Sequence, residues 1–167
     1  MTTRFAMAVG LTTLPGAALA QSTAAIVEGQ GIVSVADYGH ALAAMSGWAI
    51  LMLVLLFASA AGKARERTAS GHPVRDYSDP AYRRSRAFLN AIEITGPFVA
   101  ATLVCILVGA SPAWTNALAS VFLVSRIAMA AVHIGTEVQW LRSLFWGIGL
   151  LCVIGLAIIG LIGAFAA

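Results

Sequence analysis

Charge is what this sequence has least of: Asp, Glu, Lys and Arg make up 10% of its 167 residues, against 60% hydrophobic residues and a mean hydropathy of +0.89. A chain this apolar is not a soluble globular domain. The net charge of +3 arises in one region, so there is no broad basic face with base-reading residues, and nucleic acid is excluded as a partner. Cysteine is scarce too: Cys105 and Cys152 both lie inside apolar runs, as small packing residues and not as a disulfide framework. No P-loop, glycine-rich dinucleotide turn, zinc spacing, nucleophile elbow or internal repeat is present. His40 and Met45 have no ligand cluster around them, so no metal site is expected. Any chemistry has to come from the few cations and anions inside the apolar segments.

Long apolar runs fill the space those absences leave. Residues 1–20 read as a signal peptide, with Arg4, a short apolar run from Phe5 to Leu11, the breaker Pro15-Gly16, and Ala18-Leu19-Ala20 before Gln21. Residues 21–37 form an exposed lead-in. A first span is expected from Tyr38 to Gly62, without a charged residue and with small Ala41, Ala44 and Gly47 set for close helix packing. The hydrophilic segment that follows holds Lys63, Arg65, Arg67, Arg75, Arg83, Arg84 and Arg86, seven of the ten basic residues. Basic loops stay on the cytoplasmic side. With an exported amino terminus and one crossing, this agrees with a bacterial-type inner (plasma) membrane protein whose main basic loop is cytoplasmic.

Asp79-Pro80 predicts a helix start before the membrane, with Asp79 as cap. The second span then runs from Ile94 to Gly109, Ser111-Pro112 supplies a tight turn, and the third runs from Trp114 to Gly135. Gln139 to Ser143 read as a short link, and Leu144 to Phe165 as the fourth span, which is rich in glycine. The expected fold is an all-α integral membrane protein, a bundle of four transmembrane helices spanning residues 38–167.

One polar stripe interrupts the apolar pattern. At about 100° per residue, Arg86, Asn90, Glu93 and Pro97 fall within a sector of about 60°, so a cation, an amide, an anion and a helix breaker descend one face. Arg126 lies roughly 18 Å into the membrane on the third span, where an unpaired arginine costs about 2.5 kcal/mol or more. Glu93 is its nearest candidate partner by topology. His133 and Glu137 share its helical face. Two readings follow: an internal ion pair that holds the bundle, or a pocket for a charged ligand.

The run Arg86-Ala87-x-x-Asn90-x-x-Glu93-x-x-x-Pro97-Phe98, with Arg126 in the third span and Leu141-Arg142-Ser143 opening the fourth, resembles the MAPEG family, membrane-associated proteins in eicosanoid and glutathione metabolism, as a bacterial-type member. The resemblance covers Ala41 to the carboxyl end. It implies a homotrimer with glutathione held between subunits near the cytoplasmic face, and a lipophilic small-molecule substrate. By matching position, Arg65, Arg86, Asn90, Glu93, Arg126 and His133 inherit cofactor-binding roles. Arg142 and Ser143 inherit catalytic ones, the arginine beside the glutathione sulfur and the serine as a hydrogen-bond donor to it. Leu89, Met129 and His133 stand where active members carry a basic residue, a polar residue and a tyrosine. The resemblance therefore implies either a glutathione-dependent transferase or peroxidase, or a non-catalytic membrane subunit that keeps the bundle.

Overall fold

A computed structural model describes residues 34–61 and 63–166. The expected signal peptide and all of the lead-in before Ser34 lie outside the described residues. Ser34 caps a single 3-10 turn, Val35–Tyr38, accepting from the Ala36 N–H at 3.2 Å while Asp37 accepts from the Ser34 N–H at 2.8 Å. Four helices follow: α1 Gly39–Ala60, α2 Pro80–Leu107, α3 Pro112–Gly135 and α4 Gln139–Ala166. Each is long and apolar enough to cross a membrane. The four-helix transmembrane bundle expected from the sequence is the observed architecture.

Local chemistry sets the helix ends. Asp79 caps α2, its carboxylate accepting from the Ala81 N–H at 2.8 Å, and Pro80 takes the first helical position, where its missing N–H costs nothing. At 28 residues α2 is about 42 Å long, more than a bilayer core of about 30 Å requires, so part of it projects from the membrane. The helix continues through Pro97, although that residue cannot donate to the Glu93 carbonyl. Gly109, at φ +65°, turns the chain out of α2, and Pro112 opens α3 at once. One boundary differs from expectation. The chain is helical from Gln139 onward, so the link between α3 and α4 is only Thr136 to Val138, and Arg142 and Ser143 sit in the first turns of α4.

The helices pack with α1 against α2 and α3, and α4 against the same two. The inner stripe of α3 reads Thr115, Ala119, Phe122, Arg126, Met129 and His133, at alternating spacings of three and four residues. Phe122 stacks on Phe98 of α2 at 3.9 Å and meets the edge of Trp48 of α1 at 5.1 Å. Trp48 donates its indole N–H to the Thr95 hydroxyl at 3.2 Å, which satisfies the one polar atom of a buried ring. Near the Gly109 turn, the Tyr38 hydroxyl donates to the Ala110 carbonyl, and Asn116 bridges the Asp37 carbonyl (2.7 Å) and the Ala41 N–H (2.9 Å). Those bonds close one end of the bundle. Outward, Ile50, Phe57, Leu151, Ile162 and Phe165 are exposed, as lipid-facing side chains should be. Cys105 and Cys152 are buried free thiols, and Cys105 donates to the Leu156 carbonyl at 3.1 Å.

Candidate functional site

The opposite end of the bundle is open. A cavity of about 290 Å³ is walled by Arg86, Asn90 and Glu93 of α2, Met129 and His133 of α3, Arg142, Ser143 and Trp146 of α4, and Tyr77 of the loop before α2. The three α2 residues reach it together because their spacing keeps them on one helical face, beside the small buried residues Ala87 and Ala91 that let α2 pack inward. A second cavity, of about 460 Å³, shares Tyr77, His133 and Arg142 with the first and adds Arg75, Thr136, Glu137 and Gln139. Three residues thus line both cavities.

Six of the eight residues singled out from the sequence line the first cavity: Arg86, Asn90, Glu93, His133, Arg142 and Ser143. His133 is 3% exposed and neither ring nitrogen has a hydrogen-bond partner. A buried imidazole with both nitrogens unmet can take a ligand donor or acceptor. Among the described residues Arg142 makes no ion pair; its guanidinium lies over the Tyr77 ring, 5.5 Å from the centroid. Glu93 and Ser143 are exposed at the mouth in the single chain.

Arg65 and Arg126 are not brought there. Arg65 lines a separate cavity with Glu66, Val74, Asp76 and Asp79; its backbone N–H donates to Asp79 at 3.0 Å and its guanidinium to the Ser78 hydroxyl at 3.4 Å. The N–H groups of Arg65 and Ala81 hold the Asp79 carboxyl below the usual carboxylate range, and the Ser78 hydroxyl and N–H do the same for Asp76. Arg126, 2% exposed, forms no ion pair with Glu93. It turns instead along its own helix: one amino group meets the Met129 sulfur at 3.1 Å, and the guanidinium lies 5.5 Å from the Phe122 ring centroid. Gly149 makes that rotamer possible, since a Cβ there would meet the Arg126 Nε at 2.9 Å. Glu137, expected on the same helical face as Arg126 and His133, lies past the end of α3 and pairs with Arg83 at 3.4 Å.

Arg83 was legible in the sequence only as one cation among seven. It joins three segments, donating to the Ile134 carbonyl at 3.1 Å and the Tyr77 carbonyl at 2.7 Å besides Glu137. Tyr77, Arg75 and Trp146 were missed as well. The first two lie in a loop without periodicity, and Trp146 reads as one more apolar residue of a span.

Four membrane-length helices around an aromatic core, with a cation-lined cavity at one end, define a multi-pass membrane protein of the four-helix-bundle class. The chain matches the MAPEG family over residues 41–162 and belongs to it, which makes it a membrane protein of the glutathione and eicosanoid metabolism family. No curated protein and no solved structure matches it.

Proposed function

We propose that the protein is a glutathione-dependent transferase or peroxidase that acts on a lipophilic electrophile by thiolate attack. The observation that carries this reading is the meeting, in one cavity, of Arg86, Asn90, Glu93, Arg142 and Ser143 from α2 and α4. Glutathione carries two carboxylates, an ammonium group and a thiol. Arg86 binds a carboxylate through paired hydrogen bonds, Glu93 meets the ammonium group, and Asn90 serves either as donor or as acceptor. His133, with both nitrogens free, offers a further hydrogen bond.

Arg142 is the catalytic cation. A free thiol ionises near pH 8.5, so a fixed neighbouring guanidinium stabilises the thiolate and supplies nucleophile at neutral pH, with Ser143 donating to the same sulfur. The thiol proton leaves to water, the sulfur lone pair forms the bond to the electrophilic carbon, and the leaving group takes the displaced electron pair. With a hydroperoxide substrate the thiolate attacks the terminal oxygen, the O–O bond breaks and the alkoxide leaves and takes up a proton; a second glutathione thiol then attacks the resulting glutathione sulfenic acid, giving the disulfide and water.

The open cavity supports assembly. A carboxylate such as Glu93, exposed on a membrane helix, is costly until a ligand or another subunit covers it. In a homotrimer with the ligand between subunits, Arg65 joins from a neighbouring copy, while Arg126 acts through Met129, which lines the cavity. The inner membrane with the 61–79 loop in the cytoplasm completes the reading and puts the cavity where glutathione is abundant.

The test is a glutathione titration of the purified protein in detergent, read by thiolate absorbance and by thermal stability. A thiolate signal together with a rise in Tm is expected. Neither signal, with a partner recovered in a mild-detergent pull-down, would make this chain a non-catalytic subunit.

A further inference from the structure

Arg142 is held by an aromatic ring where a carboxylate would be the ordinary choice. Its guanidinium carbon lies 5.5 Å from the centroid of Tyr77, and among the described residues no anion pairs with it. The difference matters for a thiolate site. A carboxylate would fix the arginine but cancel its charge, whereas the face of a ring fixes it by its quadrupole and leaves the full positive charge to act on the sulfur. Building on the glutathione reading above, we infer that Tyr77 is the positioning residue of Arg142.

The ring is itself held on several sides. It stacks on His133 at 6.4 Å and 20°, and meets the edge of Tyr82 at 5.1 Å and 87°. Its carbonyl accepts from Arg83 at 2.7 Å, and the same guanidinium donates to the Ile134 carbonyl at 3.1 Å, so the Tyr77 backbone is tied to the last turn of α3. Arg83 also occupies Glu137, the one carboxylate in the wall of the larger cavity. A single arginine thus anchors the Tyr77 backbone and pairs with the carboxylate of that wall. Tyr77 lines both cavities, and so stands where the thiol and its reaction partner would meet.

The charged and titratable groups around Arg142 and its ring are Arg83, Arg86 and Glu93 from α2, His133 from α3, Glu137 from the short link, and Arg75 and the Tyr77 phenol from the long loop. Only the phenol belongs to Tyr77, and Tyr77→Phe removes it while keeping the ring, so comparing the two variants separates loss of the phenol from loss of the ring face. An altered thiol titration then reports where Arg142 is, and not how much charge surrounds it.

The experiment uses the full chain in detergent with glutathione as probe, and measures the pH midpoint of the bound-thiolate absorbance in wild type, Tyr77→Leu and Tyr77→Phe. Tyr77→Leu is expected to raise the midpoint, lowering the thiolate fraction at a fixed pH below it by about two- to five-fold, while glutathione still binds through Arg86, Asn90 and Glu93. Tyr77→Phe, which keeps the ring, restores the wild-type midpoint. An unmoved midpoint in Tyr77→Leu, or an equal shift in Tyr77→Phe, overturns the positioning role and leaves the glutathione reading standing. No thiolate in wild type overturns both. Should Tyr77→Leu fail to fold, Tyr77→Trp carries the test: the stronger indole face keeps the midpoint at or below the wild-type value, and a midpoint above it overturns the inference.

Discussion

The two ends of the bundle are built on opposite terms. At the Gly109 end the polar atoms of Tyr38 and Asn116 find partners, the buried Thr115 hydroxyl alone going unmet, and below them Trp48, Phe98 and Phe122 fill the core. At the other end, His133 has two unmet nitrogens, Arg142 has only a ring beneath it, and two cavities separate the helices. Buried polar groups are nearly always paired, and the unmet nitrogens, unlike the single hydroxyl at the packed end, border cavities, which is what the proposed ligand site requires. Arg126 lies between them and takes its contacts from both: Phe122 on the packed side and Met129 on the cavity side.

The contrast breaks if substitutions at either end move the same observable. Phe122→Ala, which empties the centre of the aromatic cluster, is expected to cost about 3–5 kcal/mol of stability, seen as a large fall in Tm. Any protein that survives in the folded state should keep the thiol-titration midpoint. Arg142→Ala should behave in reverse, leaving Tm within a few degrees of wild type while reducing glutathione-dependent turnover about 10²-fold, as removal of one fixed transition-state partner does elsewhere. Full thiol-transfer activity in Arg142→Ala would remove that residue from the chemistry. Trp48→Phe sharpens the packed side: it deletes the indole donor to Thr95 and should cost about 1 kcal/mol, with no effect on glutathione binding.

The smallest effect concerns acid. Asp76 and Asp79 are held below the ordinary carboxylate range when folded, so the stability they add is fully present above the unfolded pKa, near 4, and is lost as pH falls through the lower folded values. Tm should therefore be insensitive to these groups at neutral pH and decline in acid below about pH 4. Asp79→Asn, which keeps a capping acceptor but cannot titrate, should flatten part of that decline. A wild-type and a variant curve that superimpose throughout would show that the cap carries no acid-linked stability.

How much of this could be read beforehand follows from what periodicity encodes. Four spans, the Asp79-Pro80 start and the Ser111-Pro112 turn follow from hydropathy and turn chemistry, and the helices appear there. The stripe Arg86, Asn90, Glu93 was legible because three residues on one helix share a face regardless of tertiary packing. The Glu93–Arg126 pair was not, because azimuth and depth fix where a Cα stands but not which way a long side chain turns. A glycine on α4 decided that. Glu137 was assigned to the face of α3 as though the helix continued past Gly135, whereas the chain leaves it there. Tyr77 had no signal at all, since its importance depends on a loop path set by Arg83.

The brevity of the Thr136–Val138 link has a consequence for how such a bundle can diversify. Three residues allow almost no slack, so the imidazole at the end of α3 and the guanidinium at the start of α4 keep a nearly constant separation whatever happens elsewhere. The stretch from Lys63 to Ser78, much longer and largely exposed, has no such constraint. On the proposed function, reactivity toward different electrophiles would therefore be written into that long arm, by changing what it lays against the two cavities, while the short hinge keeps the imidazole and guanidinium in place.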